Sequence, residues 1–201
     1  MNYLAHLFLS ENTPEARIGN LMGDFVKSAS LATYPAPMRR GIILHRKIDA
    51  YTDSHPIFQT SRQRISSVRR RYAGILIDIF YDHFLAIHWS DFSPQNLPDF
   101  AQSIYSSLQT YQGILPESLK QIVPGMIKDD WLTSYRDLQG IQYALERVSR
   151  RIRHENDLAS ALDELESNYA ALEADFLTFF PDLSTDVHLQ IETMVTTTSL
   201  R

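Results

Sequence analysis

Apolar and polar positions alternate along this chain mostly with the period of an α-helix, and prolines separate the periodic segments. Apolar residues that recur every three or four positions predict helices, and proline is favoured at helix starts and between helices. Neither Asn-Gly nor Asp-Gly occurs in the sequence, which disfavours a fold built on tight β-hairpins. The predicted helices cover residues 14–28, 37–54, 57–71, 74–90, 97–112, 116–127, 130–135, 137–154, 157–179 and 182–195.

Two of these segments differ in how their apolar residues are distributed. Segment 74–90 is apolar on nearly all sides, which is typical of a helix in the middle of a bundle. Segment 157–179 has a stripe of leucine and aromatic residues opposite an acidic face, which is typical of an outer helix. The pattern therefore predicts one all-α domain over residues 1–201, with a tail that frays from about residue 196.

Two polar pairs interrupt this apolar helical pattern. The first is His45 and Asp49, and the second is Asp78 and Asp82, which His83 follows directly. Each pair is spaced four residues apart, so its two side chains share one helix face. Ionisable groups on a buried face cost free energy unless a partner compensates them. A divalent metal is one such partner, and an arginine or lysine from a neighbouring helix is the alternative.

Two further residues are candidate ligands, each with a structural alternative. Asp24 follows Gly23 near the end of the first predicted helix and is either a ligand or a turn residue. His6 lies in the apolar run NYLAHLFL and is either a ligand or a core residue. Since the chain has no cysteine, any metal site uses His, Asp or Glu, which suits Mn²⁺, Mg²⁺ or Fe²⁺.

The sequence lacks the motifs of nucleophilic serine enzymes and of phosphate-binding loops. No serine lies in a nucleophile-elbow motif, and no glycine-rich loop of the Walker type occurs. Metal-assisted hydrolysis is therefore the simplest chemistry that the sequence supports.

The net charge of −5 conceals a strong asymmetry along the chain. Residues 39–71 are rich in arginine, whereas residues 155–186 carry many acidic residues and no lysine or arginine. The acidic balance disfavours nonspecific binding to nucleic acid, but the basic stretch can attract an acidic partner. The N-terminal apolar run has no basic leader and is too short to span a bilayer, so we expect a cytoplasmic protein without membrane association.

Five blocks of the sequence occur in the order and spacing of a known family. They are MNYLAHLFLS, GNLMGDFVK, RRGIILHRKIDAYTDSHP, GILIDIFYDHFLAIHW and DWLTSYRDLQGIQYAL, and they extend to about residue 180. With them the chain resembles the acyl carrier protein phosphodiesterases, also called acyl carrier protein hydrolases. The resemblance implies an all-α variant of the HD phosphohydrolase fold. It also implies removal of 4′-phosphopantetheine from holo-acyl carrier protein with a divalent cation, typically Mn²⁺.

The resemblance also implies which residues form the site. Asp24, His45 and Asp78 are the expected metal ligands, and Asp82 and His83 are the expected catalytic groups beside them. HD proteins have the doublet in the order His-Asp, whereas here the order is Asp-His. Which member faces the metal is therefore open. Helical geometry favours Asp82, with His83 as a proton donor or a structural partner.

Arginines complete the expected site and its partner surface. Arg46, with Arg40, flanks the expected site and is predicted to hold phosphate oxygens. Acyl carrier proteins are acidic, so the basic stretch is a candidate docking surface, with a solvated helix face as the alternative. The arginines within it that are expected to dock the carrier are Arg62, Arg64, Arg69, Arg70 and Arg71.

Two other functions stay open at this point. One is an HD-like phosphohydrolase that acts on a nucleotide or another small phosphate ester. The other is a module that binds a carrier protein without catalysis. Buried carboxylates count against the second function, because a surface for binding alone has little use for them.

Overall fold

The computed structural model describes residues 1–199, with side chains to residue 196. All regular structure in this range is helical, which confirms the predicted all-α class. The α-helices are α1 (Tyr3–Phe8), α2 (Pro14–Leu21), α3 (Ala36–Ser54), α4 (Pro56–Arg64), α5 (Ala73–Ile87), α6 (Trp89–Phe92), α7 (Leu97–Thr110), α8 (Glu117–Lys120), α9 (Val123–Lys128), α10 (Trp131–Ser134), α11 (Leu138–Arg151) and α12 (Leu162–Ser199).

Helix α5 lies at the centre of the bundle. Its residues Ile77, Phe80 and Leu85 are fully buried, and it packs against α1, α4, α11 and α12. A helix with apolar residues on all sides needs neighbours on all sides. The prediction for segment 74–90 is therefore confirmed, and any polar side chain on this helix must find a partner within the protein or at a cavity.

Helices α2 and α3 pack with their backbones in direct contact at two glycines. A Cβ atom on Gly19 would overlap with the carbonyl oxygen of Met38, and one on Gly41 would overlap with the carbonyl oxygen of Ala16. Any larger residue at either position would push the helices apart. This contact holds the end of α2, and the turn that follows it, against α3.

Helix α12 continues through Pro181, where the sequence predicts a break between two helices, so that prediction is wrong. Proline inside a helix costs about 3 kcal/mol, because one backbone hydrogen bond is lost and the ring crowds the preceding turn. Phe179, Phe180 and Leu183 beside it are fully buried, and each contributes about 1.5–3 kcal/mol of burial. Burial of the helix face therefore outweighs the local cost of the proline.

Other boundaries also differ from the pattern. Helix α1 was not predicted, because six residues are too few to show a helical period. Helix α4 ends at Arg64, and the chain from Ile65 to Arg69 is not helical, although the pattern predicts a helix to residue 71. The fraying predicted from about residue 196 falls on a segment whose backbone is helical to Ser199, and residues 200–201 lie outside the described residues.

The basic and acidic stretches lie against each other within the fold. Arg64 Nε is 2.7 Å from Asp175 Oδ2, and Arg69 Nη2 is 2.7 Å from Asp157 Oδ2. Arg69 Nη1 also contacts Asp163, at 2.6 Å. The charge asymmetry of the sequence is therefore partly neutralised inside the protein. No helix in the described part of the chain combines the length and apolarity that crossing a membrane requires.

Candidate metal centre

Two histidines and a carboxylate converge between α1 and α3. His6 Nε2 lies 3.1 Å from Asp49 Oδ1, and His45 Nε2 lies 3.2 Å from Asp49 Oδ2. The two imidazole rings are stacked with their centroids 3.8 Å apart. One potential ligand atom from each of the three residues lies within 4.8 Å of the other two. This spacing is compatible with one shared metal ion.

Helix α2 orients His6 through a buried amide. Asn20 Oδ1 lies 3.1 Å from His6 Nδ1, and Asn20 is fully buried. An amide oxygen only accepts hydrogen bonds, so the tautomer that pairs with it has the proton on Nδ1 of His6. The Nε2 lone pair is then directed towards Asp49, which is the tautomer that a metal ligand needs.

A glycine next to an acidic residue shapes the other side of the centre. A Cβ atom on Gly23 would overlap with the ring of His45, so only glycine leaves room for the imidazole. The next residue, Asp24, places Oδ1 3.1 Å from His45 Nε2. Its side chain is 64% exposed, so it faces solvent at the edge of the cluster.

The protonation states of the cluster follow from burial and from its own contacts. Burial lowers the pKa of His6 to about 4. Burial also acts to lower the pKa of His45, but Asp24 and Asp49 outweigh it and raise this pKa to about 9. Although burial opposes ionisation of Asp49, its contacts with His45 and His6 hold its pKa far below the usual range. Without a metal, the cluster therefore contains one imidazolium, one neutral imidazole and ionised Asp49.

One buried atom supports a bound cation. His6 Nε2 is buried and has no hydrogen-bond partner, because in this tautomer neither Nε2 nor the Asp49 oxygen 3.1 Å away carries a proton. A buried polar atom without a partner costs free energy, and a metal ion in line with its lone pair would remove that cost. Imidazole nitrogen together with carboxylate oxygen is a ligand set that suits Mn²⁺ and Fe²⁺. The residues present therefore fit a divalent cation.

An open cavity of about 270 Å³ borders the cluster. Asp24 and Asp49 lie in its wall, as do Asp53 and Asp78. Asp78 Oδ1 is 2.9 Å from the Met1 amino group, which in turn is 3.7 Å from Asp49 Oδ1. Asp78 therefore reaches the same cavity as the α3 residues and is bridged to Asp49 by this amino group.

Asp82 lies elsewhere, at the start of α1. It is fully buried, and its two oxygens accept hydrogen bonds from the backbone N–H groups of Leu4, at 2.7 Å, and Ala5, at 3.1 Å. The first turn of a helix has N–H groups without partners inside the helix, and an acidic group stabilises that end. Asp82 thus caps α1, the helix that carries His6, and is not part of the cavity wall.

His83 faces away from the cluster. Its Nδ1 lies 2.8 Å from the carbonyl oxygen of Tyr135, and its Nε2 lies 2.9 Å from the hydroxyl of Tyr169. Both ring nitrogens therefore have partners within the protein, and burial lowers the pKa of this histidine.

The two arginines expected to hold phosphate have internal partners as well. Arg46 donates to the carbonyl oxygen of Val26, at 2.8 Å, and to Ser28 Oγ, at 3.1 Å. Arg40 makes a two-point contact with Glu11 at 2.8 and 2.9 Å. Arg46 therefore fastens to α3 the segment that follows Asp24.

The structure thus places Asp24 and Asp78 in the wall of one cavity, and His45 is buried in contact with Asp24 and Asp49. It adds His6 and Asp49, whose roles the sequence left open. The signal for Asp49 was its spacing of four residues from His45 on one helix. His6 had a weaker signal, since a histidine in a short apolar run is also compatible with a core position.

A helical bundle with a buried His–carboxylate cluster at an open acidic cavity defines a protein with a candidate divalent-metal centre. The family model for acyl carrier protein phosphodiesterase matches residues 1–183. The chain belongs to the acyl carrier protein phosphodiesterase family, which confirms the resemblance found in its sequence.

Individual relatives agree with this assignment. The acyl carrier protein phosphodiesterase of Photorhabdus laumondii subsp. laumondii is 34% identical over 182 residues, covering 90% of this chain and 92% of the relative. That of Yersinia pestis is 34% identical, with 91% and 95% covered. That of Escherichia coli O157:H7 is 35% identical, with 90% and 94% covered. No solved structure matches the chain significantly, so the relation to the HD fold stays a prediction.

Proposed function

We propose that this chain hydrolyses the phosphodiester that joins 4′-phosphopantetheine to a serine of holo-acyl carrier protein. Water adds to phosphorus, the bond from phosphorus to the serine oxygen breaks, and the serine oxygen gains a proton. The products are apo-carrier protein and 4′-phosphopantetheine. The observation that carries this proposal is the cluster of His6, His45 and Asp49 at an open cavity, in a chain that belongs to this family.

The metal in this proposal is a divalent cation, Mn²⁺ in the first place, with Mg²⁺ or Fe²⁺ as alternatives. His6 Nε2, His45 Nε2 and the carboxylate of Asp49 are the groups that would hold it, and Asp24 and Asp78 are the adjacent carboxylates that complete the site. When bound, such a cation supplies Lewis acidity and neutralises charge that develops on the phosphoryl oxygens.

In this proposal one carboxyl group accepts a proton from the attacking water and another donates a proton to the leaving serine oxygen. Contact with His45 lowers the pKa of Asp24, so Asp24 is ionised and exposed to take a proton from the attacking water. Burial raises the pKa of Asp78, against the effect of the nearby amino group. Because burial favours its neutral form, Asp78 is the group proposed to take up a proton and return it to the serine oxygen, a step that requires its ion pair with the Met1 amino group to open.

Three of the expected catalytic residues act through their neighbours in this proposal. Asp82 fixes the first turn of α1 and with it the position of His6. Arg46 holds the segment after Asp24 against α3. His83 links α5 to the carbonyl group of Tyr135. These are positioning roles, because each group contacts protein atoms outside the cluster.

An acidic carrier protein is the proposed partner. Arg64 and Arg69 already have carboxylate partners, which leaves Arg62, Arg70 and Arg71 as the candidate docking arginines without an ion pair in the described range of the chain. We propose that these three arginines steer the acidic carrier by long-range attraction, which raises the association rate at low salt.

A mass measurement tests the proposed reaction. Purified protein is incubated with holo-carrier protein, with and without Mn²⁺, and the carrier is weighed for loss of the phosphopantetheine arm. We expect complete loss with Mn²⁺, none with a chelator, and none with His45→Ala. His188→Ala is the matched control, because His188 is exposed and its contact is with Glu192 on the same helix.

The same experiment separates the alternatives. Hydrolysis of free nucleotides without any loss from the carrier would overturn the proposal in favour of a small-ester phosphohydrolase. Binding of carrier that persists in chelator, without any product, would overturn it in favour of a binding module.

A further inference from the structure

Arg147 on α11 is a cation without a counterion. Its guanidinium carbon lies 3.9 Å from the centre of the Trp131 ring, and its Nη2 atom is buried without a hydrogen-bond partner. Within residues 1–199 it forms no ion pair with a carboxylate. Burial lowers its pKa, so the charged form is held at a cost in free energy. An anion beside this guanidinium would remove that cost.

Arg147 differs from the arginines of this fold that pair with acidic side chains. Arg40, Arg64 and Arg69 all have carboxylate partners at less than 3 Å. Among the described residues, one other arginine both stacks on an aromatic ring and has a buried nitrogen without a partner. This is Arg17, which lies 4.9 Å from the Phe100 ring and whose Nε is buried without a hydrogen-bond partner. Stacking with an incomplete set of hydrogen bonds is therefore not by itself a sign of a ligand. The position of Arg147 in the fold is therefore the observation that distinguishes it from Arg17.

That location is the edge of the candidate metal centre. Arg147 lines a cavity of about 170 Å³ together with Asp24, Tyr3 and Arg151. Asp24 and Asn2 also line the cavity that contains Asp49 and Asp78, so the two cavities adjoin. Arg17 lines neither of them. An anion held by Arg147 would therefore lie next to the metal centre.

Arg151, one helical turn further along α11, adds a second positive charge. Its Nη1 donates to the hydroxyl of Tyr3 at 2.8 Å, and it too forms no ion pair within the described part of the chain. Side chains four residues apart share a helix face, so both arginines belong to the same wall. Asp24 lines the same cavity and repels an approaching phosphate, so positive charge is needed there to offset that repulsion.

We propose that Arg147, with Arg151 beside it, forms the subsite that binds the phosphoryl group of phosphopantetheine. This inference rests on the proposed phosphodiesterase function and assigns the residue that holds the non-bridging phosphoryl oxygens. The planar guanidinium offers two parallel N–H donors to a phosphate, while Trp131 keeps the plane of the guanidinium fixed. Arg147 also lines a wider depression of about 650 Å³, together with Ser134 of α10 and Tyr143 of α11.

The test compares Arg147→Gln with Arg147→Lys and with the matched control Arg17→Gln. Steady-state hydrolysis of holo-carrier protein gives kcat and KM, and inhibition by 4′-phosphopantetheine, pantetheine and inorganic phosphate gives three inhibition constants. For Arg147→Gln we expect inhibition by 4′-phosphopantetheine to weaken about 10- to 100-fold, the range for losing hydrogen bonds to a charged group. Lysine should restore part of it, Arg17→Gln should match the wild type, and pantetheine should inhibit weakly throughout.

A direct binding measurement keeps the test valid if the variants fold poorly. In a Trp89→Phe background, Trp131 is the remaining tryptophan, and its emission reports on the guanidinium stacked against it. Titration with 4′-phosphopantetheine should change this emission, whereas pantetheine should not. Bound Mn²⁺ is measured in parallel and should be the same in Arg147→Gln and the wild type, since Arg147 is not a proposed ligand.

The outcomes separate this inference from the proposed function. Unchanged inhibition by 4′-phosphopantetheine in Arg147→Gln, or pantetheine binding as tightly as its phosphate, would overturn the subsite. If the wild type fails to cleave holo-carrier protein but phosphate-dependent quenching of Trp131 still occurs, the proposed function fails and the anion subsite stands.

Discussion

The two polar pairs of this protein have the same spacing but meet different surroundings. His45 and Asp49 on α3 both face the candidate metal centre, where Nε2 and Oδ2 lie 3.2 Å apart. Asp78 and Asp82 on α5 separate: Asp78 lines the cavity, whereas Asp82 accepts hydrogen bonds from the backbone of α1. The same pattern therefore produces one site on α3 and two unrelated contacts on α5.

The difference teaches what a spacing of four residues does and does not determine. It places two side chains on one helix face, but also about 6 Å apart along the axis. On α3 the side chains of His45 and Asp49 bridge this distance, because imidazole and carboxylate attract each other and are in direct contact. On α5 two like charges repel, so each is stable only with its own partner, an amino group for Asp78 and two N–H groups for Asp82.

The largest expected effect comes from breaking the α3 pair. We expect His45→Ala to lower Mn²⁺-dependent hydrolysis by about 1,000-fold or more, because removing a ligand removes the cation that stabilises the transition state. Bound metal per protein, measured by elemental analysis, should fall in parallel, while the helical circular dichroism is retained. A variant that keeps its metal and its activity would contradict the assignment of His45.

Removing Asp82 from the α5 pair should mainly lower the stability of the fold. Asp82→Ala leaves the N–H groups of Leu4 and Ala5 buried without an acceptor. At about 1–3 kcal/mol for each of the two groups, the free energy of unfolding should fall by roughly 2–6 kcal/mol. Chemical denaturation of the metal-free protein measures this change.

Asp82→Asn is the matched variant, because its amide oxygen still accepts one of the two hydrogen bonds. It should lose about half as much stability as Asp82→Ala. If Asp82→Ala instead kept full stability but lost metal, Asp82 would be a ligand and the contrast between the two pairs would disappear.

Crowding His45 should have a smaller effect than removing it. Gly23→Ala places a methyl group against the imidazole ring, which must rotate or shift. We expect the affinity for Mn²⁺ to fall about 10-fold, with a modest loss of stability. Gly113→Ala is the control, because no atom lies within 4 Å of a Cβ added there. Equal affinities in the two variants would show that the close contact at Gly23 does not position His45.

The smallest expected effect is the pH dependence of stability that His45 and Asp49 on α3 add to the metal-free protein. The folded pKa of His45, about 9, is raised above its ordinary value of 6.5, so its stabilising effect is complete below pH 6.5. This effect is lost as the pH rises from 6.5 through 9. Thermal melting across this range should show decreasing stability.

Comparison with His45→Gln isolates this contribution, because the Met1 amino group, whose pKa is also raised, acts with the same sign in both proteins. The wild type should lose more stability than His45→Gln between pH 6.5 and 9. Parallel curves for the two proteins would mean that His45 is neutral in the metal-free state.

Much of the fold was predictable because burial imposes a helical period over long segments. The central position of α5 followed from its apolar residues on all sides. The break at Pro181 was predicted wrongly, since a local rule for proline does not include the burial of Phe179 and Phe180 beside it. Helix α1 was missed because six residues carry too little periodic information.

Part of the candidate site was also expected from the sequence. Asp24, His45 and Asp78 were expected to lie together, and all three border the cluster or its cavity. His6 joins them through α1, a helix that depends on Asp82 from α5 for its cap. This arrangement joins residues that are far apart in the sequence, so a local sequence pattern cannot predict it.

The sequence by itself determined the all-α class, the family and the polar residues available for chemistry, because helical periodicity and the order of the five sequence blocks can be read from the chain alone. The tertiary structure alone decided which of those residues meet. Burial requires every charge to find a partner, and the available partners depend on which helices pack together. For His45 that partner is Asp49 with His6 stacked beside it, for Asp82 it is the first turn of α1, and for Arg147 the described protein offers no counterion.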